Sequence, residues 1–263
     1  MSTDRLKDKV IIVTGSGRSI GRGIAIRLAS EGATVVTSSQ TPANCGKVAD
    51  EIKAAGGKAV SIPADVSKES DIQNLVDKTA SQFGRLDVMV SNAGIALTKL
   101  AMETTAAEWN RIFQVNVLGT FLADTIAARQ FIKQNTGGKI INCGSIASHS
   151  GFFGLPAYCS TKFAVRALTQ SLARELAPKG ITVNAYCPGV VDTDMWEEID
   201  RDMTPMLGLS GKGAAKEAFR KQIALGRLQY PEDVAALVAF LASKDADYIT
   251  GQAIITDGGI VMV

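Results

Sequence analysis

The chain has 263 residues, 46% of them hydrophobic, enough to bury a sheet between two helix layers and within the size that one doubly wound α/β domain reaches. Its 28 Lys and Arg nearly balance 26 Asp and Glu and form no basic block, so neither nucleic acid nor an anionic membrane is expected as a partner. No apolar run approaches the ~20 residues that span a bilayer, MSTDRLKDKV lacks a secretion signal's apolar stretch, Cys45, Cys143, Cys159 and Cys187 show no CxxC spacing, and one histidine argues against a zinc site; a cytoplasmic protein with reduced thiols and no metal is expected.

Short β-branched runs alternate with helical patterns along the chain. Strands are predicted at Val10–Thr14, Thr34–Ser38, Ala59–Ile62, Val88–Ser91, Lys139–Cys143, Thr182–Cys187 and Ala253–Thr256. Helices are predicted near Ile20–Glu31, Asn44–Ala55, Lys68–Phe83, Thr105–Lys133, Ala157–Ala177 and Pro231–Ala242. Several strands are continuously apolar, as strands covered on both faces should be. The alternation implies α/β architecture: one domain over residues 1–263, with a doubly wound, parallel, seven-stranded sheet, helices on both faces and right-handed crossovers. The stretch Val190–Gln222, rich in Met, Gly and charge, breaks the rhythm. It falls beyond the carboxyl ends of the strands, where ligands bind in such sheets, so residues 190–222 are expected to form a substrate lid.

The first strand runs directly into TGSGRSIG, and a helix follows. Glycine permits a tight turn and close backbone approach, and a helix N-terminus offers free N–H groups to a pyrophosphate. Gly15, Ser16, Arg18, Ser19, Ile20 and Gly21 are therefore candidates to hold a dinucleotide. The spacing of Gly15, Gly17 and Gly21, with Ser19 at a small position, differs from G-x-G-x-x-G, and a glycine-rich turn alone is weak evidence. A carboxylate after the second strand would accept from the ribose hydroxyls of NAD and repel a 2′-phosphate. Ser38, Ser39 and Gln40 stand there instead, while Arg18 can pair with phosphate or remain a solvated surface charge. The combination favours NADP(H). Asp65, followed by Val66, can accept from an adenine amino group or cap the next helix. In SNAG, Asn92 and Gly94 suit a sharp turn and Ala93 lets the backbone approach a cofactor ring.

Ser145 and the run Tyr158-Cys-Ser-Thr-Lys162 carry the chemistry. Tyr158 and Lys162, four residues apart, share one helix face. A free phenol has a pKa of about 10, and a neighbouring ammonium is expected to lower it. Ser145 can hydrogen-bond a substrate oxygen while Tyr158 gives or takes the proton during hydride transfer. Asn116, polar within an apolar helix, either bonds a neighbouring turn or kinks the helix and holds a water near Lys162. Ile146, His149, Phe153, Met195 and Trp196, with Phe152, are candidates for an apolar substrate pocket beside Ser145 and Tyr158; the apolar ones are equally read as core or subunit interface. His149 is open to a role with substrate or a bond to a backbone carbonyl.

TGSGRSIG, the DV at Asp65, SNAG, Asn116, Ser145, YCSTK and PGVVDT together resemble the short-chain dehydrogenase/reductase family along nearly the whole chain. The resemblance implies a Rossmann fold, a tetrad of Asn116, Ser145, Tyr158 and Lys162, binding of the nicotinamide ribose by Lys162, and nicotinamide contacts from Pro188, Gly189, Val191 and Thr193. It also implies a homotetramer built through the long helices. Within the family, GGKIINCGS, MWEEID and the run after Lys162 look most like acetoin reductases (2,3-butanediol dehydrogenases). Those carry an aspartate after the second strand and tend to have a polar residue where this chain has Ile146. Ser91 and Ser19 also depart, standing where the pattern has Asn and Gly or Ala. The expected function is an NADPH-dependent carbonyl reductase or secondary alcohol dehydrogenase acting on a small molecule. The alternatives are a sugar or polyol dehydrogenase, a 3-oxoacyl thioester reductase, and a nucleotide-sensing protein without catalysis.

Overall fold

Every residue of β1 (Val10–Thr14) is buried, because the strand lies in the middle of the sheet with helices against both of its faces. The structure, a computed structural model, describes residues 4–263. After β1 come α1 (Ser19–Ser30), β2 (Thr34–Ser38), α2 (Pro42–Ala54), β3 (Lys58–Ser61), α3 (Glu69–Phe83) and β4 (Val88–Ser91). The second half holds α4 (Ala106–Phe113), α5 (Gly119–Gln134), β5 (Gly138–Cys143), α6 (Pro156–Leu176) and β6 (Ile181–Pro188). It ends with α7 (Asp194–Met206), α8 (Ala214–Arg220), α9 (Pro231–Ala242) and β7 (Ala253–Thr256). The order is β3-β2-β1-β4-β5-β6-β7, parallel throughout, so the expected doubly wound Rossmann sheet is present.

Successive strand residues point to opposite faces, and the cores follow that period. Ile11 and Val13 of β1 join Val88 and Val90 of β4 in a core closed by α1, α2 and α9. Ile12 and Met89, one residue out of phase, join the core under α3, α5 and α6. Each fully buried Val, Ile or Leu contributes roughly 1.5–3 kcal/mol, which is why continuously apolar strands need two helix layers. Strands leave in opposite directions from β1 and β4, and the crevice between them at their carboxyl ends is the switch point where such sheets bind ligands.

Most predicted elements differ from the structure by one or two residues at their ends. The long helix expected over Thr105–Lys133 does not exist as one piece. A π-helical turn at Gln114–Leu118 separates α4 from α5. Asn116 in this turn points inward, donates through Nδ2 to the Ile95 carbonyl (2.9 Å) and to Thr161 Oγ1 (3.1 Å), and accepts the Ile95 amide through Oδ1 (2.9 Å). The wider turn lets a mid-helix side chain serve a neighbouring loop. The stretch 190–222 also acquires order, as α7 and α8. Among the described residues, no helix is long and apolar enough to cross a membrane.

Candidate active site

The glycine-rich loop after β1 (TGSGRSIG) and the SNAG turn touch backbone to backbone at the switch point. Gly15 has φ +65°, and a β-carbon on it would stand 2.7 Å from the Ala93 Cα, so only glycine permits the approach. Asn92 locks it: Nδ2 donates to the Thr14 and Gly15 carbonyls (2.9 and 3.2 Å) and Oδ1 accepts from the Tyr186 hydroxyl (2.8 Å). Thr14 Oγ1 accepts the Asn92 and Ala93 amides in return, at 3.0 and 3.1 Å. α1 starts with Arg18 at its N-cap and no side chain capping it, so its first amides face the cleft unclaimed by the helix. Ser19 sits at φ +50°, a left-handed conformation that costs a non-glycine residue roughly 1 kcal/mol. That is the physical reason for a glycine preference at the position.

Ser16 and Ser38, read from sequence as ligand contacts, tie the loop to β2 instead. The Ser38 amide donates to Ser16 Oγ (2.9 Å), the Ser16 amide donates to the Ser38 carbonyl (3.0 Å), and both residues are fully buried. Ser39, Gln40, Thr41 and Asn44 line the cleft beside them, with no carboxylate in the segment. Arg18 reaches over the mouth to Asp194 at the start of α7 (3.4 Å), an exposed pair of the kind worth at most about 1 kcal/mol and easily exchanged. Asp65 does not cap α3, whose N-cap is Lys68. Its Oδ1 accepts the Ser67 hydroxyl and amide (2.7 and 3.0 Å), its Oδ2 accepts from Gln40, and the Ser67 bond chiefly holds its pKa below the usual carboxylate value.

A cavity of about 530 Å³ runs from this loop to Ser145, Tyr158 and Lys162, passing Val66, Gly94, Pro188, Gly189, Val191 and Thr193. Ser145 follows β5 and caps the short turn after it, accepting the Ala147 amide at 3.1 Å. Lys162 Nζ donates to the Cys143 carbonyl (2.7 Å) and lies 5.6 Å from the Tyr158 ring centre. Gly94 leaves space between Asn116 and Lys162. Asn116 itself is buried behind the cavity wall, fully paired with Ile95 and Thr161.

The expected lowering of the Tyr158 pKa is not what this geometry produces. Tyr158 keeps some surface open to the cleft, but the protein encloses its ring and burial pushes the phenol up; Lys162 and a hydrogen bond with Ser145 pull it back without prevailing. Burial acts to lower the Lys162 amine, yet Cys143, Tyr158 and Cys187 outweigh it and keep it charged. The pair therefore rests as a neutral phenol beside an ammonium.

An apolar roof closes the far end. Phe152, Leu155, Met195, Trp196, Ile199 and Phe219 line it, with Ile146 below. Phe219 meets the Trp196 ring edge-on at 5.3 Å and lies 6.3 Å from Phe152. Asp200 braces α8 against α7 by accepting the Gly213 and Lys216 amides (2.6 and 2.9 Å) and the Thr204 hydroxyl (3.3 Å). Two predicted pocket residues are elsewhere. Phe153 is 58% exposed and off the cavity. His149 has its ring nitrogens covered by protein near Ala253 and Arg166, and burial lowers its pKa. Sequence reasoning missed Arg111, Ile199, Leu155 and Phe219, because isolated residues in helices and loops carry no mark of what they will face.

Comparison with known proteins agrees with this geometry. The family described as enoyl-(acyl carrier protein) reductase matches residues 15–261. A diacetyl reductase [(S)-acetoin forming] of Staphylococcus epidermidis is 48% identical over 253 residues, covering 96% of this chain and 98% of that protein. An L-2,3-butanediol dehydrogenase of Corynebacterium glutamicum is 44% identical over 255 residues, with the same 96% and 98% coverage. A solved short-chain type dehydrogenase/reductase from Mycobacterium marinum superposes with a TM-score of 0.89 at 32% identity, covering 100% of this chain and 99% of that one.

Proposed function

Because the chain belongs to the short-chain dehydrogenase/reductase family, we propose that it is an NADP(H)-dependent carbonyl reductase for small ketones flanked by apolar groups. The observation that carries this is the continuity of one cleft, from a glycine-rich loop and a segment after β2 that holds no carboxylate to Ser145, Tyr158 and Lys162 beneath an apolar roof. The cradle fits a dinucleotide: Gly15 has no room for a side chain, and the first amides of α1 face the cleft. Gly15, Ser19, Ile20 and Gly21 would hold the pyrophosphate, Arg18 and Ser39 a 2′-phosphate, Asp65 and Val66 the adenine, and Pro188 to Thr193 the nicotinamide end. Bound there, the cofactor supplies or takes the hydride.

The chain's own residues do the rest. Ser145 orients the substrate oxygen and Tyr158 exchanges a proton with it. Lys162, kept charged, favours the phenolate when the proton leaves and holds the nicotinamide ribose. Asn116 sustains the arrangement through Ile95 and Thr161. The stretch 190–222 acts as the lid. The Staphylococcus relatives are named for diacetyl, a diketone with methyl ends and no other polar group, which suits a roof of Met195, Trp196 and Phe219 better than a polyhydroxy ketose does. A cytoplasmic homotetramer fits the apolar side chains exposed on α5 and α6, Phe121, Ile132 and Phe163.

The test is NADPH and NADH consumption with diacetyl, acetoin, an aryl ketone, a ketose and a 3-oxoester. We expect turnover of diacetyl or the aryl ketone with NADPH to exceed that of the ketose. A ketose preferred over every simple ketone would replace this reading with a polyol dehydrogenase.

A further inference from the structure

One buried acid has no part in the mechanism above. Asp124 on α5 is fully buried, and both of its oxygens are engaged. The Ser91 hydroxyl donates to Oδ1 (2.8 Å) and the Asn142 amide nitrogen donates to Oδ2 (2.9 Å). Asn142 also donates to Thr169 Oγ1 on α6 (3.1 Å). Ser91 and Asn142 are register partners at the carboxyl ends of β4 and β5. Each is followed by a residue of the site: Asn92, which clamps the phosphate loop, and Cys143, whose carbonyl holds Lys162. Ser91 also stands where the family pattern has Asn. Its side chain is one that a carboxylate arriving from α5 can reach.

We infer that Asp124 is a positioning residue for the cofactor cleft: its carboxyl, joined to Ser91 and Asn142, sets the carboxyl ends of β4 and β5 so that Asn92 and Lys162 meet the dinucleotide together. This rests on the reading of the cleft given above. A buried polar bridge has two consequences that a methyl group in the same place lacks. It is directional, so it sets the relative height of two strands. It also leaves unsatisfied donors behind when removed. Burial pushes the Asp124 carboxyl up to about 7, against the pull of its two donors. The neutral acid keeps an acceptor for Asn142 and offers its proton to the Ser91 oxygen, so the bridge survives protonation.

The experiment compares Asp124→Ala, Asp124→Asn and Ser91→Ala in the full chain, reading the Kd for NADPH, then kcat and KM for diacetyl, with circular dichroism as the check of folding. Asp124→Ala should raise the NADPH Kd about tenfold, the scale of one lost buried charge-assisted bond, and lower kcat, with KM for the ketone little changed. Asp124→Asn should recover most of both, because an amide accepts from Asn142 and donates to Ser91. Should Asp124→Ala not fold, Ser91→Ala carries the test, with a Kd raised about threefold as one neutral bond is lost. A folded Asp124→Ala with parental Kd and kcat overturns the inference, as does an Asp124→Asn as impaired as the alanine variant, or a Ser91→Ala with parental Kd. A parent that binds neither NADPH nor NADH overturns the reading of the cleft and this inference with it; indifference to Asp124→Ala in a parent that binds NADPH overturns the inference alone.

Discussion

The floor and the roof of the cleft are built differently. The floor sits on strand ends whose spacing is imposed by sheet register, and hydrogen-bonded side chains bolt it down: half-buried Asn92 to the loop, and buried Asn116 to Ile95 and Asp124 to Ser91 and Asn142. The roof is two helices braced by Asp200 and by contacts among Trp196, Phe219 and Phe152, with most residues of α7 and α8 half-buried or exposed. In the proposed function, catalytic groups belong to the floor and substrate-selecting groups to the roof. A change in the floor should therefore alter turnover or cofactor affinity, whereas a change in the roof should alter which ketone is accepted.

The sharpest break of that contrast is Tyr158→Phe, which keeps the ring and removes the transferable proton. We expect kcat to fall by at least the ~10²–10⁴-fold range of general acid–base catalysis, with the NADPH Kd nearly unchanged. Lys162→Ala should lose turnover and also weaken the cofactor. A Tyr158→Phe variant with half the parental rate would remove the tyrosine from the mechanism.

Next in size is cofactor preference, which depends on the segment after β2. One charge-assisted bond made only by NADPH is worth roughly 1.5–3 kcal/mol, or about tenfold or more in affinity. We expect NADPH to be favoured by some tens-fold in kcat/KM, Arg18→Ala to shrink the ratio, and Ser39→Asp to turn it toward NADH. Equal efficiency with both cofactors in the parent would show that the missing carboxylate is not what selects.

On the roof, Asp200→Ala leaves the Gly213 and Lys216 amides without their acceptor and loosens α8. The expected outcome is a KM for diacetyl raised roughly five- to tenfold, about 1–1.4 kcal/mol, with kcat and NADPH Kd close to parental. A loss confined to kcat would place Asp200 with the floor.

The smallest effect is on stability and comes from Asp124. Its folded pKa of about 7 lies above its ordinary 3.8, so the folded chain holds that proton more tightly than the unfolded one. Stability from this group is full below the ordinary value, falls as pH rises toward 7 and levels off above it. Asp124→Asn removes the slope. The Tm of the variant should gain on the parent as pH rises from 5 to 7 and hold that gain above it. A Tm difference that does not change with pH would mean that Asp124 keeps one protonation state throughout.

Amino-acid order by itself determined the sheet, and it singled out the glycine-rich loop after β1 and Ser145, Tyr158 and Lys162, which the fold brings to one cavity. Strand and helix periods, and motifs a few residues long, are local, and local spacing is all they require. It misassigned Ser16 and Ser38, because a hydroxyl beside a loop can face the ligand or the strand, and only the packing of β1 on β2 decides. His149 and Phe153 failed for a similar reason: being a few residues from Ser145 does not say which way the turn after β5 sends a side chain. The break at Asn116 shows only as one polar residue in an apolar helix, since its partner Ile95 is fixed by the fold. The raised phenol of Tyr158, the bridge from Asp124 to Ser91 and Asn142, and the meeting of Phe219 with Trp196 and Phe152 belong to the tertiary structure alone. Each depends on burial or on contact between residues from 18 to 67 positions apart, and such distances are set by how the layers pack.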